Sequence, residues 1–244
     1  MDFHTLAQFD LPAPVTACPT FIVTDTHLGD GGASDDSMLY AALLRAFIRE
    51  IHQPGTLIIT GGDLVDLWKA PAADILAAHS WVLREIDEFR IAGVRGNHDP
   101  TWSTLDDGSL LPEVYSAGGL TIMHGHQADP FNYGVLAKVG QDATAIYGEL
   151  ERLGWVTPGQ MDDAAFAVVA PNYLAWAKRE LDASRGVLFA FGHTHRPFAV
   201  QLDDGRVILN GGSFVPPSKP TVPPHKPTVG RVDGKRVELL EVSN

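Results

Sequence analysis

Histidine, aspartate and asparagine recur in this chain as five short motifs: Asp25-Thr26-His27, Gly62-Asp63-Leu64-Val65-Asp66, Gly96-Asn97-His98-Asp99, His124-Gly125-His126 and Gly192-His193-Thr194-His195. Imidazole nitrogen combined with carboxylate oxygen suits zinc, iron or manganese, and the absence of thiolate argues against a purely structural zinc site. Six of the ten histidines fall inside the motifs, a concentration that scattered surface or core histidines would not give. Two metal ions close together need a shared ligand, for which a carboxylate is the natural choice, and together they can clamp the attacking and leaving oxygens of a phosphoryl group. Asp63 stands centrally in the series. The chemistry that such a set supports is metal-dependent hydrolysis.

Most of the motifs follow a short apolar run, which places their side chains at strand ends. Thr20-Phe21-Ile22-Val23-Thr24 reads as a buried strand leading to Asp25 and His27. The segment from Asp35 to His52 carries Leu39, Leu43, Leu44, Phe47, Ile48 and Ile51 at helical spacing, with Ser34 or Asp35 as its cap. Thr56 to Thr60 is the next strand, Ala72 to Phe89 the next helix, and Ile91 to Val94 a third strand running into Asn97 and His98. This alternation predicts βαβ units with parallel strands, whose ligand sites gather at the strand carboxyl ends.

Leu120 to Met123 leads into His124, and a long helical stretch from about Val135 to Leu181 follows, divided near Gly154 and Thr157-Pro158-Gly159. The aromatic residues of this stretch, Tyr147, Trp155, Phe166, Tyr173 and Trp176, are expected to pack a helical core. Val187 to Phe191 delivers His193 and His195. A hairpin turns at Asp203-Asp204-Gly205, a proline-rich loop spans Val215 to Pro227, and a last hairpin turns at Asp233-Gly234. The late strands predict a second sheet packed on the first.

The formal net charge of -12 argues against broad capture of nucleic acid or an anionic membrane, because both require a basic face. Cys18 is the single cysteine, so neither an intramolecular disulfide nor a cysteine-based zinc site is expected, and a cytoplasmic setting fits. No secretory signal or transmembrane run is visible in the sequence. Peripheral lipid contact stays open, as does the oligomeric state.

The motifs D-x-H, G-D-x-x-D, G-N-H-D/E, H and G-H-x-H resemble the signature of the calcineurin-like metallophosphoesterase superfamily, from Phe21 to about Phe214. The resemblance implies an α/β fold, a four-layer αββα sandwich of two mixed β-sheets flanked by helices. It implies one domain over residues 1–244, with a helical cap insertion at 131–182. It further implies two divalent metal ions, manganese first and iron or zinc as alternatives: one on Asp25, His27 and His195, the other on Asn97, His124 and His193, with Asp63 between them. The nucleophile would be a metal-bridging hydroxide, and the substrate a small phosphate mono- or diester or a pyrophosphate.

His98 follows a metal-binding asparagine and is expected beside the metals, able to donate a proton to the leaving oxygen or to offset phosphate charge, with Asp66 orienting it. Asp99 is expected behind the ligands. Arg196 and His126 are candidate substrate contacts, and Asn210-Gly211-Gly212-Ser213 a supporting loop. Trp68, Lys69 and Trp102 lie near the mouth, with packing the expected role of each tryptophan.

The neighbours of the motifs also resemble the bacterial branch that contains UDP-2,3-diacylglucosamine pyrophosphohydrolase. That enzyme typically carries arginine where this chain has His98 and aspartate where it has His126, and the superfamily's protein phosphatases carry arginine where it has Leu67. A different class of reading is a non-catalytic binding or scaffold protein on the same fold.

Overall fold

The computed structural model describes residues 1–32, 35–103, 108–130, 132–134, 138, 160–215 and 226–243. Among the described residues, eleven strands form two mixed sheets. The first has the order β1 (Asp2–Asp10), β11 (Arg236–Ser243), β10 (Thr228–Asp233), β2 (Thr20–Val23), β3 (Leu57–Gly61) and β4 (Arg90–Val94). The second runs β5 (Val114–Ala117), β6 (Leu120–Met123), β7 (Leu188–Phe191), β9 (Val207–Asn210) and β8 (Phe198–Gln201).

Strand periodicity decides which residues meet. Ile22, Ile59 and Val94 of the first sheet pack against Leu120, Ile122, Leu188, Ala190, Val207 and Leu209 of the second. The residues that alternate with them point outward. Phe21, Val23 and Ile58 meet Leu44, Phe47, Ile48 and Ile51 of α1 (Ala41–Ile51) and Ile75, Val82, Leu83 and Ile86 of α2 (Ala72–Phe89). On the far side Phe189, Phe191 and Ile208 meet Tyr173, Trp176, Ala177 and Leu181 of α3 (Gln160–Ser184). The central strands are therefore apolar on both faces, as covered parallel strands must be. Each such side chain, once fully buried, contributes roughly 1.5–3 kcal/mol.

The pairs β2/β3 and β3/β4 are parallel, as are β6/β7 and β7/β9. The strands β2, β3 and β4 of one sheet and β6, β7 and β9 of the other thus end at a common seam, and every motif lies just past one of those ends. The late strands divide between the sheets: β7, β8 and β9 build the second, whereas β10 and β11 return to the first.

The helix expected from Asp35 to His52 is split. Asp35 caps a short 3₁₀ turn at Asp36–Leu39 by accepting from the Ser37 N–H, and α1 begins only after Tyr40. Of the segment 131–182 expected as a cap, residues 132–134, 138 and 160–182 are described; Tyr147 and Trp155 lie outside the described residues, as does the side chain of Phe166. Tyr173 and Trp176 are buried as expected. Among the described residues no helix is long and apolar enough to cross a membrane.

Candidate metal centre

The backbone past β2 and β3 continues as a pair of interlocked loops. Asp25 N–H donates to Gly62 O, His27 N–H to Asp63 O, and Leu28 N–H to Leu64 O, so the first two motifs are registered on each other residue by residue. Asp25, His27, Asp63, His193 and His195 all adopt left-handed backbone, with φ of 52, 43, 51, 65 and 53°. Non-glycine residues in this region cost about 1–3 kcal/mol each and persist where surrounding contacts hold them. Here the turn aims consecutive polar side chains inward.

Two glycines are required by the same crowding. A methyl at Gly96 would overlap Asp63 Oδ1, and one at Gly192 would overlap Asp25 Oδ2. The carboxylates of Asp25 and Asp63 are thus packed directly on neighbouring backbone. Asp63 Oδ1 accepts from His98 N–H at 2.8 Å, and both Asp25 oxygens lie within 3.0 Å of His193 N–H.

The remaining oxygens face imidazole nitrogens. His27 Nε2 lies 3.1 Å from His195 Nε2 and 3.8 Å from Asp25 Oδ1, and His195 Nε2 lies 3.5 Å from the same oxygen. His124 Nε2 is 3.0 Å from Asp63 Oδ2, which is also 3.6 Å from His27 Nε2. Donor atoms about 2.1 Å from a common ion are separated by roughly 3.0–3.4 Å at octahedral to tetrahedral angles, close to the shorter of these spacings. Three groups bring ligand atoms within 4.8 Å of one another: Asp25, His27 and His195; Asp63, His124 and His193; and His27, Asp66 and His98. The residues present can hold divalent metal.

Two buried atoms support that fit. Asn97 Oδ1 has no hydrogen-bond partner, and His124 Nε2 faces the Asp63 carboxylate at 3.0 Å without a well-formed hydrogen bond. The orientation of each group is set from behind: His124 Nδ1 donates to Gly61 O at 3.0 Å, which turns Nε2 toward Asp63, and Asn97 Nδ2 donates to Asn132 Oδ1 at 3.4 Å. His193 turns Nε2 toward Asp129 Oδ2 at 3.4 Å, leaving Nδ1 as its other ring donor atom. Buried polar atoms without partners are costly, and a cation would satisfy both.

The charges agree. Burial pulls the His124 imidazole down, yet Asp63 and Asp25 outweigh it and hold its pKa up to about 9. Burial pushes the Asp25 and Asp63 carboxyls up, and the surrounding imidazoles, His124 foremost, bring both below the ordinary carboxylate range. This pocket of carboxylates recruits positive charge, as protons or as a metal ion.

His98 and Asp66 stand beside the clusters. His98 Nδ1 donates to Asp66 Oδ1 at 2.8 Å, and Asp66 Oδ2 is 3.8 Å from His27 Nδ1. Burial raises the Asp66 carboxyl, but His98 and His27 together hold it below its usual range. Trp68 stacks on the His98 ring at 4.0 Å, so this tryptophan shapes the site as well as packing. Trp102 is core.

Other motif neighbours resolve into supports. Asp99 is fully buried and accepts from both Leu64 N–H and Gly96 N–H, tying the second motif to the third; burial and Asp63 push its pKa up to about 6. Asn210 Nδ2 donates to Gly192 O and to Thr194 Oγ1, while Ser213 Oγ donates to Asp25 O. The supporting loop therefore braces the first and last motifs together. His126 is buried against His124 and His193. Arg196 is exposed one residue past His195, with its N–H on Thr194 Oγ1. Asp129, Asn132 and Tyr133 also reach the site, and no motif spacing announces them.

A family profile described as "Calcineurin-like phosphoesterase" matches residues 18–212. The chain belongs to that family. Among curated proteins none matches it. Among solved structures it is similar to a metallophosphoesterase from Sphaerobacter thermophilus, with 16% identity, 93% of this chain and 89% of the other covered, and a TM-score of 0.50. It is also similar to a dimetal phosphatase from Danio rerio, with 13% identity, 95% and 100% covered, and a TM-score of 0.50. Vacuolar Protein Sorting 29 from Cryptosporidium parvum matches at 15% identity over 93% and 92% of the two chains, with a TM-score of 0.46. At these identities the likeness concerns the fold.

Proposed function

We propose that the protein is a dinuclear metal-dependent phosphoesterase acting on a small phosphate mono- or diester or a pyrophosphate. The observation that carries this reading is the position of Asp63 Oδ2, 3.6 Å from His27 Nε2 in one cluster and 3.0 Å from His124 Nε2 in the other. In this reading Asp25, His27 and His195 hold one ion, Asn97, His124 and His193 the other, and Asp63 is shared. Manganese is the first choice for these donors, and iron or zinc suit them too. Bound there, two divalent ions would supply positive charge for phosphate oxygens and acidify the attacking water.

The chain's own residues supply the rest. Asp66 fixes the His98 ring through Nδ1, leaving Nε2 as the nitrogen that hands a proton to the leaving oxygen. Trp68 covers one face of that ring and limits its rotation. Arg196, exposed just beyond His195, is the candidate contact for substrate phosphate in this reading. The lone Cys18 accords with a cytoplasmic location.

The test is turnover of methyl p-nitrophenyl phosphate and p-nitrophenyl phosphate by manganese-loaded protein, with metal content measured alongside. His98→Ala is expected to keep its metal and lose about 10²–10⁴-fold in kcat. Full metal content with no turnover of either ester, or of a nucleotide-sugar pyrophosphate, would point instead to a binding protein on this fold.

A further inference from the structure

Asp129 and Asn132 lie outside the five motifs, yet each touches a residue assigned above to the ion on Asn97, His124 and His193. Past His126 the chain closes in successive turns: Asp129 N–H donates to His126 O, and Asn132 N–H to Asp129 O. Asp129 followed by Pro130 is a pair that opens such turns readily. The turn brings the two side chains together, and Asn132 Nδ2 donates to Asp129 Oδ2 at 2.7 Å. Asp129 is 5% exposed, whereas Asn132 is half-buried in the wall of a cavity of about 420 Å³ beside Asn97, lined also by Trp68, Glu113 and Tyr133.

Asp129 Oδ2 is 3.4 Å from His193 Nε2, and Asn132 Oδ1 is 3.4 Å from Asn97 Nδ2. The side chains of His193, Asp129, Asn132 and Asn97 therefore form one line. Its polarity follows from its second member, because a carboxylate only accepts hydrogen bonds. His193 must offer Nε2–H, which leaves the lone pair on Nδ1. Asn132 must turn Nδ2 to the same carboxylate oxygen, so its Oδ1 faces Asn97. Asn97 must then present Nδ2, and its Oδ1 is left over. That oxygen is the buried atom of Asn97 with no hydrogen-bond partner.

His193 Nδ1 and Asn97 Oδ1 belong to the same metal position, while Asp25, His27 and His195 lie outside the line. Resting on the dinuclear reading, we propose that Asp129 is a positioning residue for that one position: it sets the tautomer of His193 directly and the amide orientation of Asn97 through Asn132. These are the two choices that imidazole and amide ligands leave open, and one carboxylate oxygen decides both.

The experiment begins with the metal-free full chain in mildly alkaline solution, where long-range proton–nitrogen NMR reads the His193 tautomer. Nε2–H is expected in the parent and in Asn132→Ala, with Nδ1–H gaining population in Asp129→Leu. Manganese titration followed by electron paramagnetic resonance then counts the positions. The parent is expected to take up two ions, and Asp129→Leu to weaken one of them about 10–100-fold while the other is unchanged. Asn132→Ala is expected to weaken the same ion by less, and adding His195→Ala to Asp129→Leu to release the ion that stays. An Nδ1–H tautomer in the metal-free parent overturns the proposal, as do unchanged manganese affinity in Asp129→Leu or equal weakening of both positions. Where Asp129→Leu does not fold, Asn132→Ala carries the test, and unchanged affinity there overturns the proposal equally. A parent that takes up a single ion removes the dinuclear reading, and the tautomers still decide for or against Asp129.

Discussion

The floor of the site and the wall beside it are built on different terms. On the floor Asp25, Asp63 and His124 are almost wholly buried, their backbones are locked by loop-to-loop hydrogen bonds, and glycine neighbours leave no space for a methyl. On the wall Tyr133 is 45% exposed, and Glu113 exposes 37% of its side chain. A floor that tolerates so little change fixes the reaction. The wall can vary without disturbing the fold, and there a substrate preference can be set.

The largest expected effect comes from disturbing the floor. Gly96→Ala places a methyl against the Asp63 carboxylate, and a loss of about 10²–10³-fold in kcat/KM is expected together with weakened metal binding. Steady-state kinetics with metal analysis checks this; near-normal activity would mean that the floor has slack. Asp66→Asn comes next. It removes the carboxylate charge behind His98 but no shared ligand, so kcat is expected to fall by about 10–100-fold with metal content retained. Loss of metal instead would move Asp66 into the floor, by way of its approach to His27.

The smallest effect concerns Asp35, whose carboxylate accepts from Gly31 N–H, from Ser37 and from His79 Nε2 at 3.0 Å. Burial pushes this carboxyl up, and His79, Ser37 and Gly31 outweigh it, so its pKa lies below the ordinary 3.8. A depressed folded-state pKa stabilises the fold above the unfolded value, and that stabilisation disappears as pH falls through the folded value. Asp35→Asn is therefore expected to lower the urea midpoint at pH 7, with the gap to the parent protein narrowing below about pH 4. A gap that is constant with pH would assign the loss to packing.

The same contrast between buried and exposed regions explains what could be read in advance. Strands β2, β3, β7 and β9 are buried on both faces and appear in the sequence as unbroken apolar runs. β1 and β5 are largely exposed sheet-edge strands with interspersed polar residues, and no apolar run marks them. The helix past Asp35 reads as one element because its apolar spacing continues, whereas the side-chain bonds of Asp35 hold the first turn as 3₁₀. Within the site, residues inside motifs were visible as a group. Asp129, which meets His193 across 64 positions, and Asn132, which meets Asn97 across 35, carry no local signal because their partners are brought near only by the two-sheet seam. Trp68 carries a signal in its place just past the second motif, near the mouth, but its stacking on His98 depends on the same convergence.

The central claim is that Asp63 joins two metal positions. Anomalous diffraction from crystals of the manganese-loaded protein tests it directly, with Asp63→Ala as the control. Two peaks about 3.5–4 Å apart on either side of Asp63 are expected in the parent protein, and loss of one or both in Asp63→Ala. A single peak in the parent protein, or two peaks that Asp63→Ala leaves in place, would contradict it.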